Sequence, residues 1–340
     1  MGQNPRRWCR YSTLGTVDSV ESDFDELDRR LLHALQLDGR APFSTIAEVL
    51  GVSDRTIARR YARLRSMGAV RVFWAVDPIA LGAMWWFLRV RCAPAAAFPV
   101  AEALARRSDT SWVSLSSGGT EITCVVRADN AADSEALLLA KLPRTSRVEG
   151  VTAHSVLHAF YGGADSLIAK FGVLTEAEIA RLRPPPMRLR PGPVHLDDGD
   201  RKLLAALGAD GRTELEQLAA VTGWSPTTVR RRMTELRERG VLYQDIDIDL
   251  RLFGTGTRTL LWLSVAPAHL ERAGAALAQH PEVAFAAATT GPTNLYASVV
   301  CANQRELYRY LTTRVAALPA ITHIETAPVI KTVKQAANRL

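Results

Sequence analysis

The sequence predicts an α+β chain in which two winged-helix-type helix-turn-helix units alternate with two ferredoxin-like βαββαβ units. Three observations carry that expectation. A stretch of 46 residues is written twice, with 20 identities between Asp25–Val70 and Asp197–Leu242 in ungapped register. Each copy is followed by a β-prone exit strand and then by strand, helix, strand, strand, helix, strand patterning. A proline-rich stretch separates the two halves. The expected boundaries are a disordered leader over 1–22, a first helix-turn-helix over 23–76 and a ferredoxin-like unit over 77–162. A linker with a short helix over 163–194, a second helix-turn-helix over 195–248 and a second ferredoxin-like unit over 249–340 complete the chain.

The leader lacks periodicity. From Phe24 to Leu37 an amphipathic helix turns Leu27, Leu31, Leu32 and Leu35 inward, and a second helix runs from Pro42 to about Leu50. Gly51 stands where a tight interhelical turn needs a backbone tolerant of positive φ. Ser53 is then a suitable N-cap for the third helix. On that helix Ile57, Tyr61 and Leu64 recur at i, i+4, i+7 as one apolar stripe, while Arg55, Arg59, Arg60 and Arg63 lie off it. The second copy repeats the plan. Gly223 and Ser225 return, Pro226 takes the first helical position, and Val229, Met233 and Leu236 form the stripe. Arg59 and Arg60 return as Arg231 and Arg232, beside Arg230. Asp38-Gly39-Arg40 returns as Asp210-Gly211-Arg212.

Residues 69–76 alternate and are either a wing strand or the strand leaving the head; residues 240–248 alternate as the exit strand of the second copy. The first βαββαβ unit reads as strands Trp85–Arg91, Ser111–Ser116, Glu121–Arg127 and Val151–His158, with helices Pro99–Arg107 and Ser134–Leu142. The second reads as strands Thr259–Val265, Val283–Thr289, Leu295–Val300 and Ile321–Ile330, with helices His269–Gln279 and Glu306–Ala317. Such units put both helices on one sheet face and leave the other face to be covered by a partner. Between the halves a helix from Glu176 to Leu182 leads into Pro184-Pro185-Pro186 and Pro191-Gly192-Pro193, which predicts an extended spacer.

Bulk properties fit this plan. The chain has 340 residues, enough for two to four small domains, and a net charge of +7 that favours a polyanionic partner. No window carries the ~18 apolar residues of a membrane span, so a cytoplasmic location is expected. Cys9, Cys92, Cys124 and Cys301 are scattered without metal-ligand spacing and read as reduced thiols. No nucleophile–base pair, phosphate loop or metal cluster emerges. No catalytic residue, metal or cofactor is therefore expected, and the chain is expected not to be an enzyme.

The order of motifs resembles the Lrp/AsnC family of transcription regulators. The carrying residues are Leu27-Asp28-Arg29-Arg30-Leu31-Leu32, Asp38-Gly39-Arg40, Gly51-Val52-Ser53 and the arginine helix, followed by a βαββαβ unit with a glycine-bearing loop. The resemblance covers nearly all of 24–160 and again 196–332, where ordinary members have a single copy and dimerise. It implies sequence-specific binding to an operator in double-stranded DNA. It also implies RAM domains that sense an amino acid and self-associate, here as a pseudo-dimer within the chain and as a higher homo-oligomer.

In that reading the third helix enters the major groove. Ser53 and Ser225 cap the reading helices. Asp54, Arg55, Thr56 and Arg59 in one copy, and Thr227, Thr228 and Arg231 in the other, face base edges. Arg60, Arg63, Arg230 and Arg232 meet phosphates. Because the reading helices differ, the two half-sites of the operator are expected to differ. The family's effector loop, a glycine followed three residues later by an acid, corresponds to Gly118-Gly119-Thr120-Glu121. In the second copy Gly291, Thr293 and Asn294 occupy it, and the acid is missing. Trp85, Trp86, Trp112 and Phe285 read mostly as core. Two alternatives compete. One is a ligand-sensing scaffold that no longer binds DNA. The other is an enzyme resembling the sirohaem decarboxylases, which place a tetrapyrrole between ferredoxin-like units. His154 and His158, an even spacing apart on one strand, together with His323, are the histidines that reading would use.

Overall fold

The computed structural model describes residues 24–128, 147–163, 167–318 and 320–335, apart from Pro186, Pro191 and Pro193. The expected leader and the expected helix Ser134–Leu142 lie outside the described residues. The first head is built of α1 (Glu26–Leu37), α2 (Phe43–Leu50) and α3 (Asp54–Ser66). Asp25 and Asp28 cap α1 reciprocally: the Asp28 N–H donates to Asp25 Oδ1 at 3.0 Å, and the Asp25 N–H to Asp28 Oδ2 at 3.3 Å. Each bond satisfies an amide that the helix start leaves unpaired. Gly51 ends α2 in the left-handed region at φ 72. The second head repeats this with α6 (Asp198–Ala209), α7 (Leu215–Thr222) and α8 (Pro226–Glu238), the Asp197–Asp200 capping pair and Gly223 at φ 77.

The exit strands β1 (Val70–Val76) and β6 (Leu242–Ile248) are not wings on separate heads. They pair with each other as an antiparallel ribbon, Val70 opposite Ile248 and Val76 opposite Leu242. The central pair, Phe73 and Asp245, occupies equivalent positions of the two copies. The ribbon therefore has the self-complementary pairing of a two-fold interface, made inside one chain. It also exchanges core residues. Ile246 of the second copy packs in the first head's core, and Trp74 of the first copy packs in the second head's, donating its Nε1–H to the Gly211 carbonyl at 3.1 Å.

The duplicated Asp-Gly-Arg loops clasp the heads to one another. Arg40 Nη1 donates to the carbonyls of Gly211 and Thr213 at 2.8 and 3.0 Å, and Arg212 returns the contact to the carbonyls of Gly39 and Ala41. A Cβ on Gly211 would stand 2.9 Å from the Cα of Phe73, so no larger residue fits beneath the ribbon. Arg65 and Asp210 add an ion pair at 2.7 Å.

The first ferredoxin-like unit comprises β2 (Met84–Cys92), α4 (Pro94–Ala105), β3 (Thr110–Ser116), β4 (Glu121–Ala128) and β5 (Val148–Tyr161). Helix α4 begins five residues before the expected start because Pro94 is tolerated at its first position, with Pro99 inside it. The short helix α5 (Glu176–Leu182) forms where the sequence places it. The second unit comprises β7 (Thr257–Val265), α9 (Leu270–Ala278), β8 (Val283–Thr289), β9 (Leu295–Cys301), α10 (Gln304–Tyr310) and β10 (Ile321–Thr332). A π-helical turn, Leu311–Val315, comes directly after α10.

The two sheets do not remain separate. Long strands β5 and β10 pair at one end with their own sheet and at the other with the opposite one, closing a single antiparallel barrel in the order β10-β3-β4-β2-β5-β8-β9-β7. Helix α4 covers the first sheet outside, and α9 and α10 cover the second. Inside, Phe87, Val125, Val156, Leu260, Trp262 and Tyr296 pack the two inner faces against each other.

The segment between the halves corrects the expectation of an extended spacer. Ile168, Leu174 and Leu182 are buried in the first head's core, and Arg30 and Arg181 pair with Glu178 and Glu48 across the contact. Lys170 Nζ donates to the carbonyls of Ala278, His280 and Val283 at 2.8, 2.9 and 2.8 Å, so the same segment ties that head to the end of α9. Ile168→Ala is accordingly expected to cost about 2–5 kcal/mol of stability through the cavity it opens. Urea unfolding measures this, and a spacer free of the heads gives no change.

Candidate nucleic-acid interface and barrel cavity

The two reading helices divide their arginines. Ser53 and Ser225 cap them as expected, accepting from the Thr56 and Thr228 amides at 3.1 and 3.2 Å, and their hydroxyls also bond those of Thr56 and Thr228. Arg60, Arg63 and Arg232 differ from the expected phosphate contacts. Arg60 Nη1 bonds Asp25 Oδ1 at 2.8 Å and Asp28 Oδ1 at 3.0 Å, and Arg63 pairs with the other Asp28 oxygen. Arg232 clamps Asp200 with two bonds of 2.8 Å and reaches Glu235 at 2.9 Å. Asp28 and Asp200 are fully buried. A buried carboxylate left unpaired is expensive, so these guanidinium groups are held as its counter-charges. Burial pushes the Asp200 carboxyl up, but the bonds from Arg232 and from the Asp197 amide outweigh it and leave it below its ordinary value.

What remains exposed is a smaller set at the start of each helix. Arg55 and Arg59 in the first head, and Thr227, Arg230 and Arg231 in the second, lie on the surface. None of these arginines forms an ion pair with the described residues. Asp54 accepts from the Arg55 amide at 2.7 Å.

The effector loops are placed differently from expectation. Gly118 and Gly119 adopt φ 73 and 84 and turn the chain between β3 and β4, and the Thr120 hydroxyl closes the turn on the Ser117 carbonyl at 2.8 Å. Glu121 is only 5% exposed and is clamped by Arg89, through Nε and Nη2 at 2.9 Å each, with Arg89 also gripping Glu325. Its carboxylate is thus engaged by a cation of its own sheet rather than held for a ligand ammonium. In the second copy Asn294 accepts from the Val265 amide and donates to its carbonyl, both at 2.9 Å, and so seals β7 to the loop. The Thr293 carbonyl accepts from Thr289 Oγ1 at 3.1 Å, and Gly291 packs against the His154 ring.

His154 and His323 both reach the Glu325 carboxylate, which Arg89 holds below its ordinary value, whereas His158 does not join them. His154 is buried, its Nδ1 is 2.8 Å from the Thr290 carbonyl, and its ring lies 5.0 Å from that of Trp262. A register shift between Val156 and His158 turns His158 away from that face, to an edge contact with Phe160, while His323 is exposed. The even spacing that put His154 and His158 together holds only in an unbulged strand.

The open space is instead inside the barrel. A cavity of about 670 Å³ lies between the inner sheet faces and the β1–β6 ribbon. Strands β2 and β7 run 84–92 and 257–265, and β3 and β8 run 110–116 and 283–289, so the two units correspond at an offset of 173 (257 − 84). At that offset Trp85 corresponds to Arg258, and Trp112 to Phe285. All four line the cavity, and they form two unlike pairs. Trp85 and Phe285 meet edge to face at 5.7 Å, whereas the Arg258 guanidinium lies 5.0 Å from the Trp112 ring centre. Arg258 Nε donates to Ser298 Oγ at 3.0 Å, and the Tyr296 phenol lies beside it. Burial pulls the arginine's pKa down. Trp112 sits at φ 51 where β3 slips register between Ser111 and Ser114. For a bulky residue that conformation costs on the order of 1–3 kcal/mol.

On the ribbon side, Tyr243, Asp245 and Asp247 face the cavity from alternate positions of β6. Asp247 pairs with Arg71. Asp245 does not share it. Burial, with Asp247 nearby, pushes its carboxyl up to about 8 against the pull of the Ile246 amide. The sequence reading missed Asp245 and Arg258. The signal available for both was the duplication itself, since each stands where the other copy has an aromatic residue.

A duplicated pair of helix-turn-helix heads on a barrel of two ferredoxin-like units defines the class of protein. Family comparison agrees. The AsnC-type helix-turn-helix domain matches residues 24–65 and 196–237, and the Lrp/AsnC ligand binding domain matches 259–338. An uncharacterized HTH-type transcriptional regulator of Pyrococcus furiosus is 33% identical over 129 residues, 37% of this chain and 85% of that protein. The HTH-type transcriptional regulator FL11 of Pyrococcus horikoshii is 27% identical over 143 residues, 42% of this chain and 94% of that protein. Each such relative corresponds to about one copy. The chain belongs to the Lrp/AsnC family.

Similarity to a solved structure extends over both copies. The siroheme decarboxylase NirDL aligns with 92% of this chain and 93% of its own, at a TM-score of 0.61 and 15% identity. The same enzyme in complex with an iron-uroporphyrin III analogue aligns at a TM-score of 0.60. The expectation that the chain is not an enzyme is corrected by this finding. The duplicated architecture is shared with an enzyme, so the fold does not separate regulator from catalyst. Among the described residues no helix is long and apolar enough to cross a membrane.

The Asp245 carboxyl gives a pH test of the cavity wall. The folded protein holds this proton up to about pH 8, whereas an unfolded Asp releases it near ~3.9. Between those values the folded state binds more protons, so stability contributed by the neutral carboxyl is full below the lower value and falls as pH rises through the upper one. Asp245→Asn is expected to remove this decline. Urea unfolding from pH 5 to pH 9 should show the variant gaining on the parent as pH rises, and parallel curves would contradict the assignment.

Proposed function

We propose that the chain is a sequence-specific DNA-binding regulator that reads one operator with both heads and binds a small-molecule effector in the barrel cavity. The observation that carries this reading is the exposed arginine set at the start of both reading helices, Arg55 and Arg59 in one and Arg230 and Arg231 in the other. The N-terminal end of a recognition helix is the part that reaches base edges. Arginine there reads guanine, at roughly 1–3 kcal/mol of discrimination per good bidentate contact. The ribbon and the Arg40–Arg212 clasp fix the heads relative to one another, and the unlike helix starts, Asp54-Arg55 against Pro226-Thr227, suit half-sites that differ. Further association of whole chains belongs to the same reading.

A second reading has one observation in its favour. The whole-chain likeness to the siroheme decarboxylase, together with a cavity bearing an arginine, supports an enzyme acting on a carboxylate-bearing ligand in the barrel. One experiment separates the two. Binding to the gene's own upstream fragment and to random DNA is measured over a salt series, beside an absorbance spectrum of the protein mixed with an iron porphyrin. A regulator binds its fragment well above random, with affinity falling steeply with salt as counterions are released. Arg59→Ala combined with Arg231→Ala is expected to reduce binding at least tenfold. Equal, weak binding to both fragments with a shifted porphyrin band favours the enzyme.

A further inference from the structure

The barrel is built from two copies of one unit, yet its cavity is not symmetric. One half is aromatic and uncharged, with Trp85 and Phe285 in contact. The other holds Arg258 against Trp112, with Ser298 and Tyr296 around it. This guanidinium has no carboxylate partner among the described residues. By contrast, Arg89 lies between Glu121 and Glu325, and Arg232 grips Asp200 and Glu235. Of the carboxylates lining the cavity, Asp245, Asp247 and Asp249, none is bonded to Arg258 among the described residues; Asp247 is paired with Arg71, and burial pushes the Asp245 carboxyl toward its neutral form. A partly buried cation with unused donors is stabilised by an anion that completes it. Trp112 points the same way, since strained backbone held at a bulge re-aims its side chain to the guanidinium.

We propose that the cavity binds a flat aromatic acid with a single carboxylate, the carboxylate pairing with Arg258 and the ring system lying against the Trp85–Phe285 pair. This deepens the effector reading above and rests on the cavity being a ligand site, but not on DNA binding. The cavity's 670 Å³ lies within the ~300–1,000 Å³ usual for small-molecule sites and leaves room for more than one ring. A planar guanidinium matches a carboxylate through two parallel hydrogen bonds, and its place 5.0 Å from the Trp112 ring centre with a bond to Ser298 restricts where that fork can turn. A ligand ammonium finds no ionised, unpaired carboxylate among the described residues of the cavity wall. The site therefore favours a simple acid over the amino acid with the same ring.

The test is calorimetric titration of the full chain, without DNA, with 2-naphthoate, its neutral amide 2-naphthamide, and tryptophan. The expected result is naphthoate binding at least tenfold tighter than naphthamide and tighter than tryptophan. Arg258→Met should erase the advantage of naphthoate and leave naphthamide unchanged, and Arg258→Lys should keep part of it. The comparison of acid with amide on the parent protein stands even if Arg258→Met fails to fold. Naphthoate binding no tighter than naphthamide overturns the proposal, and so does a folded Arg258→Met that retains the preference. Tryptophan binding tightest also overturns it and assigns the cavity to a zwitterion. A protein that binds no DNA but selects naphthoate keeps this inference while losing the regulator reading.

Discussion

The inner faces of the two four-stranded sheets share an apolar, largely aromatic centre, the described helices lie on their outer sides, and the faces cover one another. A sheet of this kind has no stable form with its second face in water. Mutual burial of Phe87, Trp262, Tyr296 and their neighbours therefore sets everything else. Once the faces meet, β5 and β10 are long enough to continue from one sheet into the other, and the barrel closes without a free edge. Closure fixes the stems of both heads close together. The exit strands then pair with each other, and the Asp-Gly-Arg loops meet across the ribbon.

Carrying both copies in one chain changes what such an interface can contain. In a symmetric dimer any residue near the axis appears twice, so an arginine at position 258 would bring a second guanidinium into the same cavity where Trp85 now stands. Like charges in a desolvated cavity are strongly unfavourable. Duplication and later divergence permit an arginine at that position in one copy alone, one strained Trp112 and one Asp245 opposite Phe73. The same freedom acts on the heads, where Asp54-Arg55 and Pro226-Thr227 give the reading helices different surfaces. Asymmetry inside the barrel and asymmetry at the heads are two products of one covalent fusion.

The heads were legible in the sequence because their determinants are local. Capping residues, turn glycines and apolar stripes repeat at fixed offsets, and the structure uses Ser53, Ser225, Gly51 and Gly223 as that pattern implies. Most barrel strands were found for the same reason. What stayed hidden depends on pairing between distant segments. Nothing local reveals that Arg60 and Arg232 belong to buried aspartates, that Glu121 is claimed by Arg89, or that 167–182 docks on the first head. A bulge in β5 undid the histidine spacing, because period-two reasoning fails at one inserted residue. The cavity was equally invisible, since its lining comes from both copies and reads as core in each.

The central claim is that the two copies close on each other within one chain in the register described. It is tested most directly by a disulfide across the ribbon between Ala75→Cys and Tyr243→Cys, with Cys9→Ser removing the thiol of the leader. Ala75 and Tyr243 are opposite each other, and opposed antiparallel residues lie roughly 4.5–5.5 Å apart, within the span a disulfide accepts. The account predicts rapid oxidation to a cross-linked single chain, independent of protein concentration. No cross-link, or covalent dimers that increase with concentration, would contradict it.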